Sequence, residues 1–87
     1  MRKSSPRVLL GLRIKELRAE CGMTQEDLAE SAGLFRTYMS RLETGLANPT
    51  FDVLLSLADA LSVQPAALFE IPAAPLGPSR SRKGPRN

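Results

Sequence analysis

The sequence predicts an all-α fold, a compact bundle of five short helices, and three observations carry that prediction. Apolar residues recur at spacings of three and four in successive segments, the period that gathers a stripe on one helical face. Start and stop residues punctuate those segments: Ser5-Pro6, Thr24 and Thr50 in front, Gly22, Gly33 and Gly45 behind. No run alternates apolar and polar residues as a half-buried strand does. At 87 residues the chain has room for one small domain with a modest core.

Helix one opens with Ser5 as N-cap and Pro6 at the first helical position. Leu10, Ile14, Leu17 and Cys21 form its stripe, and Gly22 ends it. Cys21, lying on that stripe, is expected to be a buried reduced thiol. Helix two opens at Thr24, with Asp27 placed to answer it as in a capping box, and Met23 and Leu28 spaced as a hydrophobic staple. Leu28, Ala29 and Ala32 make its inner face, and Gly33 supplies the left-handed stop. After a break of about three residues, Met39 and Leu42 define the inner face of helix three, which Gly45 ends. Helices two and three together read as a helix-turn-helix. Residues 46–49 are a loop, Thr50 caps helix four, and Leu54, Leu57, Ala58 and Leu61 face inward, with Phe51 and Val53 adding apolar area. Pro65 opens a short fifth helix whose apolar end is Leu68 and Phe69.

Helix three carries the functional signal. With Met39 and Leu42 inward, Thr37, Ser40, Arg41 and Thr44 face away from the core, flanked by Arg36 and Tyr38. Arginine is the commonest reader of guanine edges, and Thr and Ser contact bases or phosphates. In a helix-turn-helix the start of the second helix enters the major groove, and Arg36 and Thr37 occupy that first turn. Such a polar face alone would suit any solvated helix; the capped and correctly spaced helix in front of it favours double-stranded DNA as the partner.

Composition excludes several alternatives. One cysteine and no histidine make a disulfide framework or a zinc site untenable, and no metal or cofactor is expected. No apolar run approaches the roughly 18 residues of a membrane helix, and VLLGL after the basic start is too brief for a secretory signal, so a cytoplasmic protein is expected. The net charge of +3 is unevenly spread: residues 8–78 hold five basic and nine acidic side chains. Nucleic-acid binding by the body therefore requires its positive charges to gather on one face. Residues 1–7 are read as a flexible basic N-terminus, 8–71 as the DNA-binding domain, and 72–87 as a disordered Pro/Arg-rich tail. That tail either attracts phosphates weakly or serves only solubility.

From about Leu10 to Phe69 the sequence resembles the phage repressor/Cro-type (XRE family) helix-turn-helix domain, most clearly in MTQEDLA, RTYMSRLETG, NPT and LADALSV. The resemblance implies a lambda-repressor-like bundle, and RTYMSRLETG in a short chain is further similar to restriction–modification controller proteins. It implies a phosphate contact for Gln25, base reading by Arg36, Thr37 and Arg41, and backbone or neighbouring-base contacts for Tyr38 and Ser40. Asn48 matches a loop position that approaches the backbone or minor groove. Arg18 and Glu43 match a buried ion pair joining helices one and three.

Three departures stand out against that pattern. Phe35 replaces the usual Ser, Thr or Asp N-cap of helix three, its ring either packing into the core, the reading preferred here, or pressing on a thymine methyl. Ser62 replaces the common glycine after helix four, and Gln64 a small polar cap of the fifth helix. Ala47 lacks the basic side chain that some controller proteins carry. The function expected is a sequence-specific transcriptional regulator, homodimeric on a palindromic operator, with no small-molecule effector and no enzymatic activity. Val63, Leu68 and Phe69 are either dimer interface or core, and the residues alone leave both open. An antitoxin-like or partner-binding protein on the same fold is the alternative function.

Overall fold

The computed structural model describes residues 5–70; positions 1–4 of the expected basic arm and the expected tail at 72–87 lie outside the described residues. Four α-helices follow one another, α1 (Pro6–Glu20), α2 (Gln25–Ala32), α3 (Arg36–Glu43) and α4 (Phe51–Leu61), and a 3₁₀ helix, Pro65–Phe69, completes the chain. No strand occurs among the described residues. The all-α class holds, but the expected five-helix bundle becomes four α-helices and one 3₁₀ helix. Pro65 has no N–H to offer and five residues cannot propagate an α-helical ladder, so the segment closes the tighter turn, with Ala67 N–H donating to the Gln64 carbonyl at 2.9 Å.

Capping follows the sequence closely. Ser5 Oγ accepts the Val8 N–H at 3.2 Å, which starts α1 at Pro6, inside the segment expected to be flexible. At α2 the Asp27 N–H donates to Thr24 Oγ1 at 3.0 Å and the Thr24 N–H donates to Asp27 Oδ2 at 2.9 Å, a reciprocal capping box. The Thr24 backbone hydrogen bond holds the Asp27 carboxyl below its usual range. That contact is therefore present above the ordinary carboxylate pKa and is lost as pH falls through the lowered one. Thr50 Oγ1 caps α4 through the Val53 N–H at 3.2 Å.

All four α-helices end in the same way. In α2 the Leu34 N–H reaches back to the Ala29 carbonyl at 2.8 Å and Gly33 N–H to Glu30 at 3.2 Å, a Schellman motif turning on a left-handed residue. The equivalent residue after α4 is Ser62, at φ 59°, whose Cβ makes that conformation costly. Ser62→Gly is expected to raise stability by up to about 1 kcal/mol, the relieved strain exceeding the entropy gained by the unfolded chain. A urea midpoint that stays level or falls contradicts this.

The core is a single cluster in which Ile14, Leu28, Met39, Leu57, Leu61 and Leu68 are fully buried. α1 lies on α3, α2 packs against both α3 and α4, and the 3₁₀ helix closes over α4 and α1. Leu68 is 0% exposed, which assigns it to the core of the protomer and removes it from the interface candidates. The other correction is Cys21. α1 stops at Glu20, so the residue meant to continue the Ile14–Leu17 stripe becomes the C-cap and is exposed, its thiol 3.7 Å from the Leu61 carbonyl oxygen. No helix among the described residues is long and apolar enough to cross a membrane.

Candidate nucleic-acid interface

The candidate surface on α2 and α3 rests on a buried ionic tie. Glu43, at the end of α3, has a side chain only 3% exposed, yet it carries a carboxylate. Arg18 of α1 supplies the compensation, with Nε 2.6 Å from Oε2 and Nη2 3.1 Å from Oε1, a bidentate fork. The third guanidinium nitrogen, Nη1, donates to the Met23 carbonyl at 2.9 Å, in the turn leading to α2. The hydrogen bonding to Glu43 holds the Arg18 pKa above its usual value. Gln25, the first residue of α2, joins the same carboxylate, its Nε2 donating to Glu43 Oε1 at 3.0 Å. One carboxylate thus fixes α1, the start of α2 and the end of α3 relative to one another. The ion pair that the resemblance implied is present; its extension to Gln25 connects residues 18 positions apart and has no local sequence signature.

On that frame α3 turns outward the side chains expected of it. Arg36, Thr37, Arg41 and Thr44 are exposed, while Ser40 and Tyr38 are half-buried, the Tyr38 ring resting partly against the core. Gln25, Arg36, Thr37 and Ser40 line one polar concavity of about 270 Å³ between the start of α2 and the outer face of α3. Four of the expected contact residues therefore share a site. Arg41 stands apart, its Nη2 donating to the Leu46 carbonyl at 3.1 Å in the loop after α3. Thr44 Oγ1 bonds back to the Ser40 carbonyl at 3.0 Å, which occupies its hydroxyl proton. Asn48 is exposed but lines a different, apolar groove.

Two residues near α3 were not anticipated in these roles. Glu26 Oε2 lies 3.8 Å from Arg36 Nε, with both side chains largely exposed. Such a solvent-screened pair is weak, so it holds the Arg36 side chain only loosely. Phe35 does not pack into the core. It is 84% exposed and makes no side-chain cap. In a continuous helix Phe35 would fall on the Met39 stripe, four residues ahead of it. As N-cap its extended backbone, φ −74° and ψ 145°, directs the ring off that stripe.

A separate apolar groove, about 210 Å³, runs between the start of α1, the loop after α3, α4 and the 3₁₀ helix, lined by Leu10, Pro49, Leu54 and Phe69 among others. Phe69 is 55% exposed, and Phe51 and Leu55, one turn apart on α4, are exposed as well. Val63 is half-buried against the core. Arg13 secures the wall that carries Phe69: its Nε donates to the Ala67 carbonyl at 2.8 Å, and its Nη2 pairs with Glu70 at 3.1 Å. Arg13 also pairs through Nη1 with Glu16 Oε1 at 2.7 Å, three residues further along α1.

A capped helix, a left-handed glycine turn and a second helix with an outward polar face define a helix-turn-helix domain. The chain belongs to the family described as "Helix-turn-helix domain", whose model matches residues 9–70. It is 44% identical over 57 residues to an uncharacterized HTH-type transcriptional regulator, y4dJ, of Sinorhizobium fredii, covering 66% of this chain and 74% of that one. Among solved structures it is similar to the restriction–modification controller protein C.AhdI from Aeromonas hydrophila, at TM-score 0.70 and 42% identity, covering 71% of this chain and 94% of the other. It is also similar, at TM-score 0.70 and 38% identity, to the controller protein C.Esp1396I, solved as a tetramer in complex with its natural 35 base-pair operator. That match covers 78% of this chain and 90% of the other.

Proposed function

We propose that this chain is a sequence-specific double-stranded DNA-binding transcriptional regulator, acting as a homodimer on a palindromic operator in the manner of a self-regulating controller. The observation that carries this reading is the polar concavity shared by Gln25, Arg36, Thr37 and Ser40, braced from behind by Glu43. In that arrangement Gln25 holds a phosphate while Arg36 and Thr37 reach the major-groove edges, with Tyr38, Ser40, Arg41 and Asn48 on the flanking backbone and bases. The similarity to controller proteins, one of them solved on operator DNA, supports the same function.

A random-pool selection of bound duplexes, followed by titration, tests it. Arg36→Ala is expected to cost about 1–3 kcal/mol at the selected site and relax preference at one base pair. Gln25→Ala should weaken binding to selected and scrambled duplexes by a common factor. Equal affinity of the parent protein for both duplexes contradicts the proposal.

One α3 reads too few base pairs to find a site alone, which is the case for two-fold pairing. The dimer contact assigned here is the apolar groove that Phe69 lines with Leu10 and Leu54, with the exposed Phe51 and the half-buried Val63 as further candidates. Phe69→Asp, a change at an exposed position, is expected to leave the melting temperature within a few degrees and shift sedimentation to the monomer. A dimer that survives this substitution places the contact elsewhere.

A further inference from the structure

Resting on that DNA-binding reading, we infer that Phe35 is a specificity-determining residue that reads a thymine 5-methyl group beside the base pair facing Arg36. Among the described residues it is the most exposed of the large hydrophobic side chains, 84% open to solvent. It fills the N-cap position of α3 yet makes no side-chain cap, and its ring is not part of the core. Both ordinary functions of that position are absent, so the ring serves neither the helix nor the fold. The other strongly exposed aromatics, Phe51 and Phe69, belong to α4 and the 3₁₀ helix.

What covers Phe35 is set by its neighbours. It immediately precedes Arg36 and Thr37, which line the polar concavity with Gln25 and Ser40. When the first turn of α3 enters the major groove, the residue just before it meets the groove at the adjacent base step. The other groups displayed along that groove's floor are hydrogen-bond donors or acceptors, and the thymine methyl is its apolar feature. An aromatic ring with no polar atom has no other complementary group there, and removing both from water is favourable. The inference adds a second kind of readout to the site, shape and methyl recognition beside the hydrogen bonds of Arg36.

The test replaces each thymine of the tightest selected duplex with deoxyuridine, which deletes the methyl and keeps the pairing. Wild type, F35A and F35S are titrated against each duplex. Wild type is expected to lose about fourfold per half-site at a single thymine, the worth of one methyl-sized group removed from water, and about 15-fold when both half-sites are changed. F35A and F35S should bind the thymine and uracil duplexes equally. F35S should also melt above wild type, because serine supplies the missing N-cap, so lost recognition is separated from lost folding. The inference is overturned if no uracil weakens wild type, if the selected site has no thymine beside the Arg36-dependent pair, or if F35A keeps the full uracil discrimination. Any of these, with selective binding retained, leaves the DNA-binding reading intact and points to a protein contact for Phe35. Indifference of wild type to all sequences sinks both.

Discussion

Arg18→Ala is expected to lower stability by about 3–5 kcal/mol, the cost of leaving a buried carboxylate without its partner. Glu43 would lose two charge-assisted hydrogen bonds, and the Met23 carbonyl its own donor, with only Gln25 left to compensate. A domain of this size is stable by about 3–10 kcal/mol in total, so the variant should be substantially unfolded at ambient temperature. Arg18→Lys keeps the charge but not the fork, and should fall between the two. A paired change to apolar residues, Arg18→Met with Glu43→Leu, removes both charges together and should recover most of the loss. Urea melts of the four proteins check the series. An Arg18→Ala midpoint equal to wild type would show that the tie is not what fixes α1 to the helix-turn-helix. In the paired variant Gln25 loses its anchor while the fold survives, so DNA affinity should fall at every sequence even where stability does not.

Gly11→Ala is the second large effect, and two terms of opposite sign decide it. Alanine improves helix propensity by about 1 kcal/mol at an interior position of α1. Against this, a Cβ at position 11 would overlap the Leu42 carbonyl oxygen and lie 2.7 Å from that of Glu43. These are backbone atoms in the last turn of α3 and cannot rotate aside, so α1 must lift away from α3. Overpacking of this kind costs about 3 kcal/mol at the upper end of its usual range, which leaves a net loss of about 2 kcal/mol. The displaced α3 also carries the proposed reading face, so affinity for the selected duplex should drop together with the melting temperature. A variant that melts higher than wild type would mean that α1 and α3 do not approach as closely as described.

Much of this architecture was legible in the residues because its causes are local. Caps at Ser5, Thr24 and Thr50 and stops at Gly22, Gly33 and Gly45 act within one turn of themselves, and each falls where the sequence placed it. Errors arose where a local pattern met a boundary. Cys21 and Phe35 both sit at helical spacing from buried residues, but each is a cap: α1 ends before Cys21, which is left exposed, and the extended backbone of Phe35 turns its ring off the stripe. The fifth element was placed correctly and given the wrong hydrogen-bond pattern, because Pro65 and the short length shift the balance to 3₁₀. Leu68 could not be assigned from sequence, since core and interface ask for the same residue type. The Gln25–Glu43, Glu26–Arg36 and Arg13–Glu70 contacts join segments distant along the chain, and only the fold brings them together.

The uneven charge of the body acquires a physical meaning at the site. Glu26 lies against Arg36, and Asp27 is held ionised by its cap one residue further on. On the proposed function, negative charge this close to the DNA-facing side of α3 would disfavour undirected attraction to phosphates and place more of the discrimination on base contacts.

Guanine-N7 methylation interference on the selected duplex, with wild type beside Arg36→Ala, tests the central claim most directly, because N7 is the atom a major-groove arginine occupies. The expected result is one guanine per half-site whose methylation blocks wild type, the two half-sites lying about 34–36 Å apart along the duplex. In Arg36→Ala, methylation of that guanine should no longer matter. An interference pattern identical in the two proteins, or one confined to adenine N3 in the minor groove, would contradict the account.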